Sequence, residues 1–134
     1  MEFIIKNVNP KQKKACDCVI RAIALAENKD WYEVYDGLYE IGRKKCDILN
    51  SKKVYEAYLK QNGWIKQKMP KKDNGKRYTI NEFFDYYKKV YKNETVIVTV
   101  ANHMTCIKNN VLYDSWNCSH KSIGNYWTKS SFNI

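Results

Sequence analysis

Residues 12–26 read QKKACDCVIRAIALA, and this stretch decides how the rest of the chain is organised. Val19, Ile20, Ile23 and Ala24 recur at the spacing of one helical face. Asp17, just ahead of them, carries a short carboxylate of the kind that accepts hydrogen bonds from the free N–H groups of a first turn. The pattern predicts a helix that opens at Cys18. A thiol there lies at the positive end of the helix dipole, which favours thiolate over thiol and lowers the pKa. Taken alone, a cysteine among alanines and isoleucines packs as a small apolar residue. A histidine and an aspartate far downstream give it a chemical reading.

Working outward, Glu2 to Val8 (EFIIKNV) predicts a short strand or lead-in segment that Pro10 ends. Asn28 and Lys29 form a turn after the first helix. Asp30 and Glu33 have capping-box spacing, and Trp31, Val34, Tyr35, Leu38 and Ile41 make the apolar stripe of a second helix, as core packing and not a ligand cage. Asn50 or Ser51 starts a third helix with Val54, Tyr55, Tyr58 and Leu59 on one face, and Gly63 is placed to end it in a left-handed cap. Trp64 and Ile65 follow as an extended piece. Thr79 and Glu82 form another capping box, for a fourth helix running through Phe83, Phe84, Tyr87, Val90 and Tyr91. The period then changes. Thr95 to Val100 (TVIVTV) is a β-branched run suited to a strand, Asn102 precedes a second run from His103 to Ile107, and Val111 to Tyr113 returns after Lys108, Asn109 and Asn110. Ile123 to Thr128 is the last expected strand. Helices first and an antiparallel sheet second predict an α+β fold, with N-terminal helices packed on a C-terminal antiparallel β-sheet.

The chain has 134 residues and 44% hydrophobic content, enough for one domain over residues 1–134 and too little for two. No apolar run approaches membrane-spanning length, and MEFIIKNVNPKQKK lacks the basic, apolar and small-residue order of a signal peptide, so a cytoplasmic protein is expected. Five cysteines, an odd number without paired spacing, fit reduced thiols better than a disulfide framework. With 24 basic residues against 14 acidic ones the formal charge is +10, a field that favours nucleic acid, an anionic surface or an acidic protein partner. Lys66 to Arg77 is the densest basic stretch, and Pro70, Asp73, Asn74 and Gly75 mark it as a loop, for which a solvated connection is a simpler account than a nucleic-acid contact. Lys11, Lys13 and Lys14 stand beside the first cysteines, where they would guide an acidic substrate or help hold a thiolate.

With Asn109 and Asn110 as the two turn residues of a hairpin, Lys108 faces Val111 and His103 faces Trp116. Asp114 then lies two positions away on the same face, within reach of the imidazole. A carboxylate beside one ring nitrogen fixes the tautomer and leaves the other to take a proton from a thiol. A three-residue loop without a compensating bulge would reverse the parity.

The order Gln12, Cys18, His103, Asp114 resembles the papain-like cysteine peptidase superfamily, especially its small bacterial and phage-encoded members and the bacteriocin-processing peptidases. DCVIRAIA at 17–24 and VLYDSWNCS at 111–119 are similar to small phage proteins of that layout. The resemblance implies Cys18 as nucleophile, His103 as general base and then acid, Asp114 as its orienting group, and Gln12 donating its amide, with the Cys18 N–H, to an oxyanion. It implies a thiol hydrolase, a peptidase or amidase acting on a peptide or protein without a cofactor, in the bacterial host cytoplasm if phage-encoded. Cys16 competes for the nucleophile's place, but Cys18 follows the capping Asp and keeps the six-residue interval to Gln12; Cys16 is then a neighbour or redox partner. Zinc held by Cys16-x-Cys18 and Cys118-x-His120 is a rival chemistry, although structural zinc pairs usually have wider gaps. Cys46 and Cys106 read as apolar fillers, His120 as solvent-exposed, and Trp116 and Trp127 as core or cleft wall. The alternative from a different class is a non-catalytic basic binding protein that engages nucleic acid or an acidic host factor.

Overall fold

The computed structural model describes residues 1–129. Over these residues the chain is α+β, with four helices and a six-stranded mixed sheet. The elements follow as β1 (Glu2–Ile5), α1 (Cys18–Glu27), α2 (Trp31–Lys45), α3 (Lys52–Gln61), β2 (Ile65–Gln67), α4 (Ile80–Tyr86), β3 (Thr95–Val100), β4 (His103–Lys108), β5 (Val111–Asp114) and β6 (Asn125–Thr128). The strand order is β1-β5-β4-β3-β6-β2.

The sheet separates two cores. On one face Ile97, Met104 and Trp127 pack with Ile20, Ile23, Val34, Leu38 and Leu59 of the first three helices. On the other, Val96, Val98, Ile107, Leu112 and Tyr126 pack with Phe83 and Phe84 of α4. Alternate residues of β3 therefore enter different cores. Both faces of this strand are covered, which is why TVIVTV reads as a continuous apolar run and not as an alternation.

The expectation of a wholly antiparallel sheet is corrected at one edge. β1 pairs with β5 in parallel, Glu2 opposite Val111 and Ile5 opposite Asp114. Strands joined by a tight hairpin must run antiparallel, but β1 and β5 are separated by the whole helical half, so no local pattern sets their direction. The fourth helix is also shorter than expected. It ends at Tyr86, and Tyr87 to Tyr91 continue as turns in which Val90 and Tyr91 both donate to the Tyr87 carbonyl. Tyr91 still reaches the core, so the apolar spacing outlasts the helix that it suggested.

The β4–β5 hairpin has the two-residue turn anticipated from its asparagines. Lys108 pairs with Val111, Ile107 with Leu112 and Cys106 with Tyr113, while Asn109 and Asn110 have φ values of 52° and 62°. Two consecutive left-handed residues match the turn to the twist of the strands, and asparagine tolerates that conformation better than other side chains. Asn110 also donates to the Lys88 carbonyl at 3.1 Å. Replacing Asn110 by Gly or by Ala removes that hydrogen bond in both cases, so the difference between the variants isolates the backbone. Urea unfolding is expected to find Asn110→Ala less stable than Asn110→Gly by about 1 kcal/mol; equal stability would contradict the left-handed turn.

Candidate active site

α1 packs on β4, and its first residue is Cys18. Cys18, His103 and Met104 line one cleft, the last two at the start of β4. The His103 ring engages Asp114, with Nε2 2.6 Å from Oδ2. That contact crosses the hairpin diagonally, as the register of Lys108 with Val111 requires. Asn102, with φ of 56°, turns the chain sharply just before His103, and this fixes where β4 begins.

The electrostatics favour charge separation. Burial opposes it, but hydrogen bonds from His103 and Met104, with the His103 and Arg21 charges, hold the Cys18 thiol below its ordinary pKa of 9.0. Burial pulls His103 down, yet its contacts with Asp114, Cys118 and Cys18 push it up to about 11. Each shift favours the charged form of its group, and each names the other residue among its causes. Burial pushes the Asp114 carboxyl up, and the His103 contact and the Ser115 N–H at 2.7 Å help bring it below its ordinary value.

Asp17 does not do what its position suggests. Its side chain makes no capping bond to α1. The carboxylate instead accepts from Arg21 Nε at 2.8 Å, Asn9 Nδ2 at 2.9 Å and Trp31 Nε1 at 3.0 Å. The reason is a stronger acceptor contest: three side-chain donors, one of them cationic, converge on a buried carboxylate. Against the opposing effect of burial, these bonds keep its pKa low. The Asp17 side chain thus leaves the first turn of α1 uncapped.

Arg21 is the residue that the sequence reading missed. Besides Asp17, its Nη1 donates to Asp114 Oδ1 at 3.1 Å and to Ser115 Oγ at 3.2 Å. It is buried, as are both carboxylates. The i, i+4 spacing of Asp17 and Arg21 was visible, but the partner in β5 was not. Tyr55 was read as helix packing; it also lines the cleft that Cys18 lines, and burial, with the charges of Glu56 and Cys18, pushes its hydroxyl pKa up. Trp116, 40% exposed, lies against the His103 ring at 4.9 Å between centroids. No family model, curated protein or solved structure matches the chain.

Gln12 lines the same cleft, but its Nε2 donates to the carbonyls of Asn7 and Asn9 at 3.0 and 3.1 Å. Both amide hydrogens are engaged in holding its own loop. Cys16 is exposed at the cleft mouth. Cys46 is exposed and not the apolar filler expected, because it takes the left-handed position that ends α2, while Cys106 is buried. Trp127 is fully buried in the core.

The metal-capable groups gather differently from the zinc expectation. His103, Asp114 and Cys118 present donor atoms within 4.8 Å of one another, whereas His120 is exposed and Cys16 lies at the mouth. Cys118 Sγ is 3.7 Å from Asp114 Oδ2. The same Asp114 carboxylate already serves His103, Arg21 and the Ser115 N–H, which leaves little lone-pair capacity for a cation.

Removing Arg21 strands two buried carboxylates. Arg21→Met is expected to cost about 3–5 kcal/mol in urea unfolding at neutral pH. Both carboxyls are lowered from 3.8, so the stability they confer is present above that value and is lost as pH falls through their folded pKa. The gap between wild type and variant should therefore narrow below about pH 4. A gap constant with pH would show that Arg21 acts by packing alone.

Proposed function

We propose that this chain is a thiol hydrolase of papain-like arrangement, cleaving a peptide or amide bond through a Cys18 thioester. The observation that carries the reading is the His103 imidazole, 2.6 Å from Asp114 and lining the same cleft as Cys18 at the opening of α1. The supporting layout is a helix opened by the cysteine and packed on the strand that begins with the histidine.

In this reading the Cys18 thiolate attacks the substrate carbonyl carbon, a C–S bond forms, and the carbonyl electron pair moves onto oxygen. The Cys18 N–H and the uncapped first turn of α1 are the donors this reading assigns to the charge that develops there. The His103 imidazolium gives its proton to the leaving nitrogen as the C–N bond breaks. Water then attacks the thioester while His103 takes a proton from it; the C–S bond breaks, the acid product leaves, and the ion pair is restored. Asp114 holds the ring in place and keeps it cationic, and Arg21 holds Asp114. For Gln12 to serve the oxyanion its amide must release at least one of two loop carbonyls, so the backbone donors are the ones available without rearrangement.

Alkylation tests this directly. In a Cys16→Ser background, iodoacetamide is expected to label Cys18 faster than the exposed Cys46, with the fast rate persisting below pH 9.0 because the thiolate survives until pH falls through its lowered pKa. His103→Ala should slow the labelling and move its pH profile upward. Labelling of Cys18 no faster than Cys46, unchanged by His103→Ala, would leave the non-catalytic binding protein as the better account.

A further inference from the structure

We infer that the substrate is acidic: the cleft selects a peptide carrying a carboxylate side chain close to the bond under attack. This rests on the hydrolase reading and adds the substrate class. The cleft holds about 1000 Å³ and combines apolar wall, from Val19, Met104 and Trp116, with the cations of Lys13 and Lys14. Both lysines are exposed, and their ammonium groups have no ion-pair partner among the described residues. The acidic residue lining the cleft, Asp17, is buried and neutralised by Arg21. An incoming chain therefore meets unopposed positive charge at the lip.

The lip is held in shape. Asn9 Oδ1 accepts from the Lys11 and Lys13 N–H groups at 2.9 and 3.3 Å, and the Gln12 N–H donates to the Asn9 carbonyl at 2.9 Å. Asn7 Nδ2 donates to the Lys13 carbonyl at 3.2 Å, and Gln12, with φ of 54°, adds its two side-chain bonds. Gln12 is thus a staple of the loop that carries the lysines. Lys14 is four positions before Cys18, so its Cα lies at most about 14 Å from the nucleophile's. An extended substrate advances about 3.3 Å per residue, which puts the favoured carboxylate within about four residues of the scissile bond.

A peptide fits better than a nucleic acid. The densest basic stretch, Lys66 to Arg77, is absent from the cleft lining, and two of its lysines are already paired, Lys66 with Glu56 at 2.7 Å and Lys72 with Glu82 at 2.8 Å. The unpaired cations of the cleft form a short lip over an apolar wall and not a track for a phosphate backbone.

Iodoacetate and iodoacetamide differ by one negative charge, so their rate ratio at Cys18, taken in the Cys16→Ser background, reads the local field. Lys13→Gln combined with Lys14→Gln is expected to lower the iodoacetate-to-iodoacetamide ratio at least about threefold at low salt, and Lys72→Gln should leave it unchanged. Dipeptidyl chloromethyl ketones with Glu should inactivate faster than those with Gln or Lys, and the double variant should erase that order. A ratio and an order insensitive to both lysines, with Cys18 still fast toward iodoacetamide, would overturn the acidic-substrate inference and leave the hydrolase reading standing. Slow labelling by both reagents would instead overturn the reading beneath it. Protection of Cys18 by a single-stranded oligonucleotide, with none by a glutamate-rich peptide, would also overturn the inference.

Discussion

The guanidinium of Arg21 is the constraint on which the site depends. It joins a carboxylate at the start of its own helix to one at the end of β5, two elements that no short stretch of chain connects. Each of these charges would be costly to bury alone, and together they hold α1 in register against the sheet. That register decides where Cys18 falls along β4. A shift of the helix by one turn would move the sulfur about 5.4 Å along the helix axis and change where it stands relative to His103.

The same bridge explains why an uncapped helix start is tolerated. A capping carboxylate on Asp17 would satisfy the first-turn N–H groups and leave Arg21 and Trp31 to find other acceptors. Withdrawing it into the buried network leaves the first turn of α1 without that cap, at the position of the Cys18 sulfur. The His103 ring, the Met104 N–H and the Arg21 charge then act on one sulfur in the same direction, against a desolvation effect that is the largest single influence on its pKa. No one of these contributors would be expected to overcome burial by itself.

Much of this was legible in the sequence, and the limits have physical causes. The helix beginning at Cys18, the strands of the second half and the His103–Asp114 diagonal follow from periodicity and from two consecutive asparagines, all of them local signals. The direction of β1 was hidden because its partner is more than a hundred residues away. Asp17 was placed correctly and given the wrong partners, since capping propensity describes an isolated helix end while a buried cation competes for the same oxygens. Gln12 was singled out for an amide that could face the cleft; its left-handed backbone and its loop carbonyls were invisible to a reading of spacing. Arg21 carried one available hint, a basic residue at an otherwise apolar face four positions after an acid.

The charges of the site also bear on what it would accept. Asp17, Arg21, Asp114, His103 and Cys18 form a chain of alternating sign, which sums to one net negative charge when the thiolate is present. On its own such a centre would repel an acidic substrate, and most strongly in the reactive state. Attack converts the sulfur to a neutral thioether and moves the charge to the carbonyl oxygen, and as the C–N bond breaks the His103 proton leaves on a neutral amine, so the centre keeps its one net negative charge throughout acylation. Cations beside the nucleophile would disturb this balance by competing with the imidazolium for the thiolate. Cations a few residues away at the lip offset the repulsion along the approach without entering the chain of alternating charges. That separation is what the stapled loop from Asn7 to Lys14 supplies: it fixes Lys13 and Lys14 at the mouth while the buried network keeps its own neutralisation through Arg21.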